Sequence, residues 1–170
     1  MKSVSFTTRK KIGSAEKENT MGYVEELREI VGHRRLILCG SSVVIRNEKG
    51  ELLLQERKDP PGKWCFQGGL MEPGESTEDT ARREVQEETA LRLGKLHLIG
   101  VYSGPESLCR AANGDEWYVV NTAYWSDDYC GAAVIHDDES ANLQWFAENR
   151  IPEGLVSSHK KILKDYQKIR

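Results

Sequence analysis

No stretch of this 170-residue chain comes near the roughly 20 apolar residues that a membrane span needs. The basic N-terminal MKSVSFTTRKKIGSAEKEN has no apolar segment behind its charges, so it is not expected to act as a secretory signal. Cysteine is sparse: Cys39, Cys65, Cys109 and Cys130 lie far apart, with no C-x-x-C pair. That spacing argues against zinc or a disulfide framework and favours reduced thiols in the cytoplasm. Neither sign of charge dominates, since 24 basic and 27 acidic side chains leave a formal net charge of -3. Such a balance gives no general grip on a nucleic-acid polymer, so a phosphate-bearing partner should be small or bridged by metal. Internal repeats, a helix-turn-helix and a basic appendage are absent as well.

What is present reads as a soluble globular chain, 38% hydrophobic and 30% charged, long enough for one domain with a real core. Residues 1–20 are polar and without period, and are expected to form a flexible N-terminal tail ahead of a single domain at 21–170. Tyr23, Leu27, Ile30 and Val31 recur at helical spacing before Gly32, which predicts a short helix over about 22–31. That helix could cover a sheet or pair two subunits. Leu36 to Arg46 and Glu51 to Arg57 read as strands joined by a hairpin turn at Asn47-Glu48-Lys49-Gly50. Trp64 to Gln67 reads as a short strand, followed by Gly68-Gly69. Further strands are expected near 93–102, 116–126 and 142–147, and a closing amphipathic helix from Val156 to Ile169. Hairpins mixed with helices predict an α+β fold, with helices packed on a mixed sheet.

The chemistry concentrates between Gly68 and Leu91. Ser76 can cap a helix there, with Asp79 in its first turn, and the helix should run to about Thr89. At about 100° per residue, Ala81 and Val85 mark its apolar stripe. Glu84, Glu87 and Glu88 share the flank beside that stripe. Like charges so spaced destabilise a helix by about 0.2–0.5 kcal/mol per pair, and crowding them near a core costs more. A hard divalent cation such as Mg²⁺ or Mn²⁺ would remove the repulsion. Taken alone, the segment reads more plainly as a solvated acidic face beside Arg82 and Arg83.

The wider spacing decides between them. Gly69, five residues, Glu75, seven residues, then Arg83-Glu84-Val85-x-Glu87-Glu88-x-x-Leu91 resembles the Nudix hydrolase signature, G-x5-E-x7-R-E-U-x-E-E-x-G-U with U aliphatic. The resemblance implies an α/β/α sandwich over most of residues 34–170. It implies hydrolysis of a pyrophosphate bond in a nucleoside diphosphate derivative, by water attack at phosphorus, with Mg²⁺ (or Mn²⁺) as cofactor. Glu84, Glu87 and Glu88 match the family's metal ligands, with the Gly68 carbonyl as a backbone ligand. Glu87 or Glu88 is the candidate base. Arg83 and Glu75 match positions that brace the motif, next to Gly69. Relatives are often dimers, which leaves a homodimer open.

Two positions depart from the pattern. Ala90 stands where the family glycine ends the helix in a left-handed turn, so the helix is expected to extend by one residue. Gln67 replaces a proline of the lead-in. Many relatives add a carboxylate from a distant loop, but the matching position here is Asn142, so Asp137, Asp138 or Glu139 is the substitute candidate, against the plainer reading of a solvated loop. Arg57 stands where relatives often place a basic residue over the phosphates, although it could be a surface arginine. Tyr102, Trp117 and Tyr118 could stack on a base, with core packing the plainer reading, and Trp64 and Trp145 are assigned to the core. No substrate signature fits: Pro105 falls slightly short of the proline of ADP-ribose-cleaving relatives, and the motifs of the dinucleoside-polyphosphate, NADH and coenzyme A branches are absent. That leaves a modified nucleoside triphosphate or a sugar nucleotide as substrate. A non-catalytic nucleotide sensor on the same fold is the alternative, and the complete Arg83–Glu88 core argues against it.

Overall fold

The computed structural model describes residues 22–111 and 113–170. The tail expected at residues 1–20 lies outside them. In chain order the elements are α1 (Tyr23–Val31), β1 (Leu36–Ile45), β2 (Leu52–Arg57), β3 (Trp64–Cys65), β4 (Gln67–Leu70), α2 (Thr77–Thr89), β5 (Arg92–Leu93), β6 (His97–Tyr102), β7 (Leu108–Arg110), β8 (Glu116–Ser126), β9 (Tyr129–Cys130), β10 (Ser140–Phe146) and α3 (Ser157–Ile169).

The main sheet runs β4-β1-β8-β6, with β7 also on β8. It is mixed, because β1 lies parallel to β8 while the other pairs are antiparallel. β1 is its centre: Val43, Val44 and Ile45 are all fully buried, so both of its faces are covered. Alternation sends Val44 towards Phe66, Ile162 and Tyr166 on the α3 side. It sends Val43 and Ile45 towards Ala81 and Val85 on the α2 side. Helices on both faces of a mixed sheet make the expected α/β/α sandwich. Each such aliphatic side chain contributes about 1.5–3 kcal/mol by leaving water.

The turn at Asn47–Gly50 forms as its residues dictate. Asn47 Oδ1 accepts from the Lys49 and Glu51 N–H groups, and Gly50 sits at φ 79°. The hairpin beyond it does not persist. After one bridge, Arg46 to Leu52, the two strands part, and β2 joins β10 and β3 in a second sheet. The expected strand at 64–67 likewise splits, β3 pairing with β2 and β4 with β1. Both departures come from pairing choices that hydrophobic spacing does not encode.

α1 forms where expected and stops at Gly32, whose φ is 64°. Its apolar positions are covered only in part: none of its residues is buried, Leu27 and Val31 are half-buried, and Ile30 is 82% exposed. Polar contacts add to its hold. Arg28 donates to the Glu116 and Arg34 carbonyls and faces Asp115 at 3.5 Å.

α2 opens on a reciprocal cap, in which Ser76 Oγ accepts the Asp79 N–H and Asp79 Oδ2 accepts the Ser76 N–H. Its other end overturns the expectation of an extra helical residue. Ala90 adopts the left-handed conformation, φ 60° and ψ 4°, that the family glycine would adopt. The 133–136 segment explains why: Val134 and His136 N–H groups take the Thr89 and Glu88 carbonyls, which fixes the chain's exit. Gln67, the other departure, is fully buried, neither amide atom has a partner among the described residues, and nothing in the structure accounts for it.

Candidate active site

The acidic flank of α2 meets the glycine turn of β4. Gly68 sits at φ 143°, and a Cβ there would come within 2.1 Å of the Ser41 carbonyl oxygen, so only glycine fits. Its N–H then donates to Glu88 Oε2 at 2.9 Å. At Gly69 a Cβ would lie 2.4 Å from Glu84 Oε1, so the missing side chain is what lets that carboxylate approach the strand.

Each carboxylate has its own surroundings. Glu88 Oε1 accepts from Gln55 Nε2 at 2.8 Å, and burial raises its pKa to about 8. Burial also raises the pKa of Glu84, against the pull of Arg83. Glu87 is exposed, with Oε2 3.1 Å from Arg83 Nη1. Arg83 is the hub. Its Nε and Nη2 reach Glu75 at 2.6 and 3.0 Å, its Nη1 reaches Glu84 at 2.7 Å, and its Nη2 also donates to the Leu70 carbonyl. Hydrogen bonding from Arg83 drives the Glu75 pKa down to about 2. Glu75 returns the favour by accepting from Glu72 N–H and Thr80 Oγ1, tying the loop to the helix.

Glu84, Glu87 and Glu88 open onto a groove of about 1130 Å³ on the α3 face of the main sheet. Gly68, Gly69, Arg57, Tyr102 and Glu139 line it as well. Glu75 and Arg83 stand behind it. Tyr102 is partly engaged, donating to Asp165 Oδ2 at 3.2 Å, with its pKa pushed up to about 12 by burial. Trp117 faces the groove, whereas Tyr118 takes the other face of β8, under the Arg35 guanidinium. Trp64 and Trp145 pack against the two cores. Asp137, Asp138 and Glu139 all reach the groove, but Asp137 is occupied by its own loop, accepting from Glu139 N–H, Ser140 N–H and Ser140 Oγ. Asn142 is exposed on β10.

Residues that spacing did not single out complete the lining or its support. Gln55 interrupts the apolar run Leu52-Leu53-Leu54, which is the one local hint that it faces something polar. His159 sits on the apolar stripe of α3, three and seven residues before buried Ile162 and Tyr166. Ser42 and Asn121, joined at 2.6 Å, come from strands far apart in sequence.

Among the described residues no three acidic, histidine or cysteine side chains form a ready-made metal cage. The donor chemistry still suits a hard divalent cation. Three carboxylates share one helix flank, two of them are partly withdrawn from water, and the single Arg83 guanidinium, shared with Glu75, offsets only part of their charge.

Comparison with known proteins places this geometry. Residues 40–166 match the NUDIX domain family. A Bacillus subtilis protein provisionally named as an 8-oxo-dGTP diphosphatase is 33% identical over 128 residues, covering 75% of this chain and 78% of that one. The ADP-ribose pyrophosphatase of Methanocaldococcus jannaschii is 34% identical over 126 residues, covering 73% and 70%. The crystal structure of a MutT NUDIX hydrolase from Burkholderia pseudomallei superposes with a TM-score of 0.65 at 28% identity, over 76% of this chain and 97% of that one. With the complete Arg83–Glu88 core seated against Gly68 and Gly69, the chain belongs to the Nudix family and is a Nudix hydrolase.

Proposed function

We propose that this hydrolase cleaves the pyrophosphate bond of a small nucleoside diphosphate derivative in a Mg²⁺-dependent reaction, with Mn²⁺ as a substitute. The carrying observation is the juxtaposition of Glu84, Glu87 and Glu88 with a groove large enough for a nucleotide. These carboxylates and the Gly68 carbonyl are the groups that would hold the cation. When bound, it neutralises phosphate oxygens and lowers the pKa of bound water.

The chain's own residues do the rest. Gln55 and the Gly68 N–H orient Glu88, and Arg83 orients Glu84 and Glu87. Either Glu87 or Glu88 takes the proton of the attacking water. Arg57, at the end of β2, meets the phosphates from the groove wall, and Glu139 reaches the same space from the 136–140 loop. Tyr102 and Trp117 offer ring surface to the remainder of the substrate. The two relatives act, by name, on 8-oxo-dGTP and ADP-ribose, so a modified nucleoside triphosphate and a sugar nucleotide are the classes to test first.

The test is product analysis with Mg²⁺ over modified and ordinary nucleoside triphosphates, ADP-ribose, dinucleoside polyphosphates, NADH and sugar nucleotides. One substrate should be preferred, and a chelator should abolish its cleavage. Glu87→Gln and Glu88→Gln should each slow it, and the one that removes the base should do so by about 10²–10⁴, the usual worth of a positioned base. Turnover that survives both the chelator and both substitutions refutes the assignment.

A further inference from the structure

The first turn of α3 carries His159 into the groove wall. One of its ring nitrogens is already committed, because the Phe66 backbone N–H donates to His159 Nδ1 at 2.9 Å. A nitrogen that accepts bears no proton, so the neutral ring carries its proton on Nε2. The imidazole also lies against the Phe66 ring, with centroids 5.6 Å apart and planes within 19°. Position, plane and tautomer are therefore all set by the protein. Nε2 has no hydrogen-bond partner among the described residues, and His159 lines the groove.

The ring stays uncharged near neutrality, since burial pushes its pKa down to about 4 and the Arg57 charge adds to the effect. A phosphate oxygen draws charged donors such as Arg57, and a lone neutral N–H beside apolar rings competes poorly for it. It suits an uncharged acceptor, such as a carbonyl oxygen or ring nitrogen of a nucleobase. The place suits one too. Phe66 lies two residues before Gly68, at most ~7 Å along the chain, so the contact is next to the carboxylates and not among them. Ile162 packs in one core cluster with Phe66, and Val119 lines the same groove. Asn121 gives its amide N–H to Ser42 Oγ, and its carbonyl oxygen has no partner among the described residues.

We propose that His159 is a specificity-determining residue: its fixed Nε2–H donates to an uncharged acceptor on the base of the nucleotide, which lies in the wall formed with Phe66. This rests on the hydrolase reading above and says which part of the substrate this wall recognises.

Two substitutions separate the roles of the ring. In His159→Asn the short amide can still accept from the Phe66 N–H, but no donor reaches the Nε2 position. In His159→Gln the amide nitrogen restores that donor. The probes are GMP, AMP, UMP and CMP, which have no anhydride to cleave, with ribose 5-phosphate as the base-free reference. Binding is measured by titration calorimetry in Mg²⁺. The wild type should hold at least one nucleotide more tightly than ribose 5-phosphate. His159→Asn should weaken that nucleotide about tenfold, the worth of one hydrogen bond, and leave ribose 5-phosphate unchanged. His159→Gln should recover most of the loss. On the cleaved substrate the asparagine variant should raise KM with kcat nearly constant.

Equal weakening of nucleotide and ribose 5-phosphate overturns the proposal, as does an unchanged His159→Asn. A wild type that binds no nucleotide better than ribose 5-phosphate overturns it too. The hydrolase reading fails separately, if the wild type cleaves nothing while these binding differences hold.

Discussion

Ala90→Gly should stabilise the protein, although glycine is the poorer helix former. Ala90 is the non-glycine residue with positive φ among the described residues, at 60°. That conformation costs an L-residue about 1–2 kcal/mol, because Cβ crowds the following carbonyl. Glycine avoids the clash and gives back about 0.4–1 kcal/mol through the greater freedom of the unfolded chain. Taking the middle of each range, the net gain is about 0.8 kcal/mol. In a chain of this size that raises Tm by about 2–3 °C. The exit is pinned by the Val134 and His136 N–H groups on the last α2 carbonyls, so the backbone cannot relax to escape the strain. Thermal and urea unfolding of the wild type, Ala90→Gly and Ala90→Val would decide the sign. Valine should lower both midpoints, since a β-branched residue tolerates positive φ worst. If Ala90 instead continued the helix, glycine would cost about 0.8–1 kcal/mol. A glycine variant that melts below the wild type therefore refutes the left-handed end.

Glu88 makes metal-free stability fall as pH rises. Its folded pKa of about 8 lies above the ordinary 4.5, so the folded state binds the extra proton and loses its advantage between those values. Unfolding in chelator should show Glu88→Gln flattening that decline and exceeding the wild type near pH 8, and a parallel decline in both proteins would contradict it. Glu75 has the opposite sign. Its folded pKa of about 2 adds stability that is present above 4.5 and fades as pH falls towards 2. Arg83→Ala should remove that acid-side dependence and cost about 2 kcal/mol by stranding Glu75 and Glu84. Arg83→Lys should recover little, because an ammonium cannot span Glu75, Glu84 and the Leu70 carbonyl at once, and full recovery in a pH-resolved melt would refute the hub.

Local rules made much of this protein legible from its residues. The Ser76–Asp79 cap, the Gly32 and Gly50 turns and the apolar stripe of α2 depend on neighbours within a few positions, and each formed at its expected place. The shared flank of Glu84, Glu87 and Glu88 follows from helical periodicity alone. What sequence could not supply were the long-range choices. Whether β2 stays with β1 or joins β10 depends on pairing energies between segments almost a hundred residues apart. Ala90 is left-handed because the 133–136 segment fixes the exit of α2, overriding a local preference for one more helical residue. Tyr118 was separated from Trp117 by nothing but the alternation of β8, once the sheet decided which face the groove would occupy. Gln55 and His159 gained their roles when folding set one beside Glu88 and the other beneath the Phe66 N–H. A side chain's chemistry is carried by its residue type, but the partner that directs it is chosen by packing.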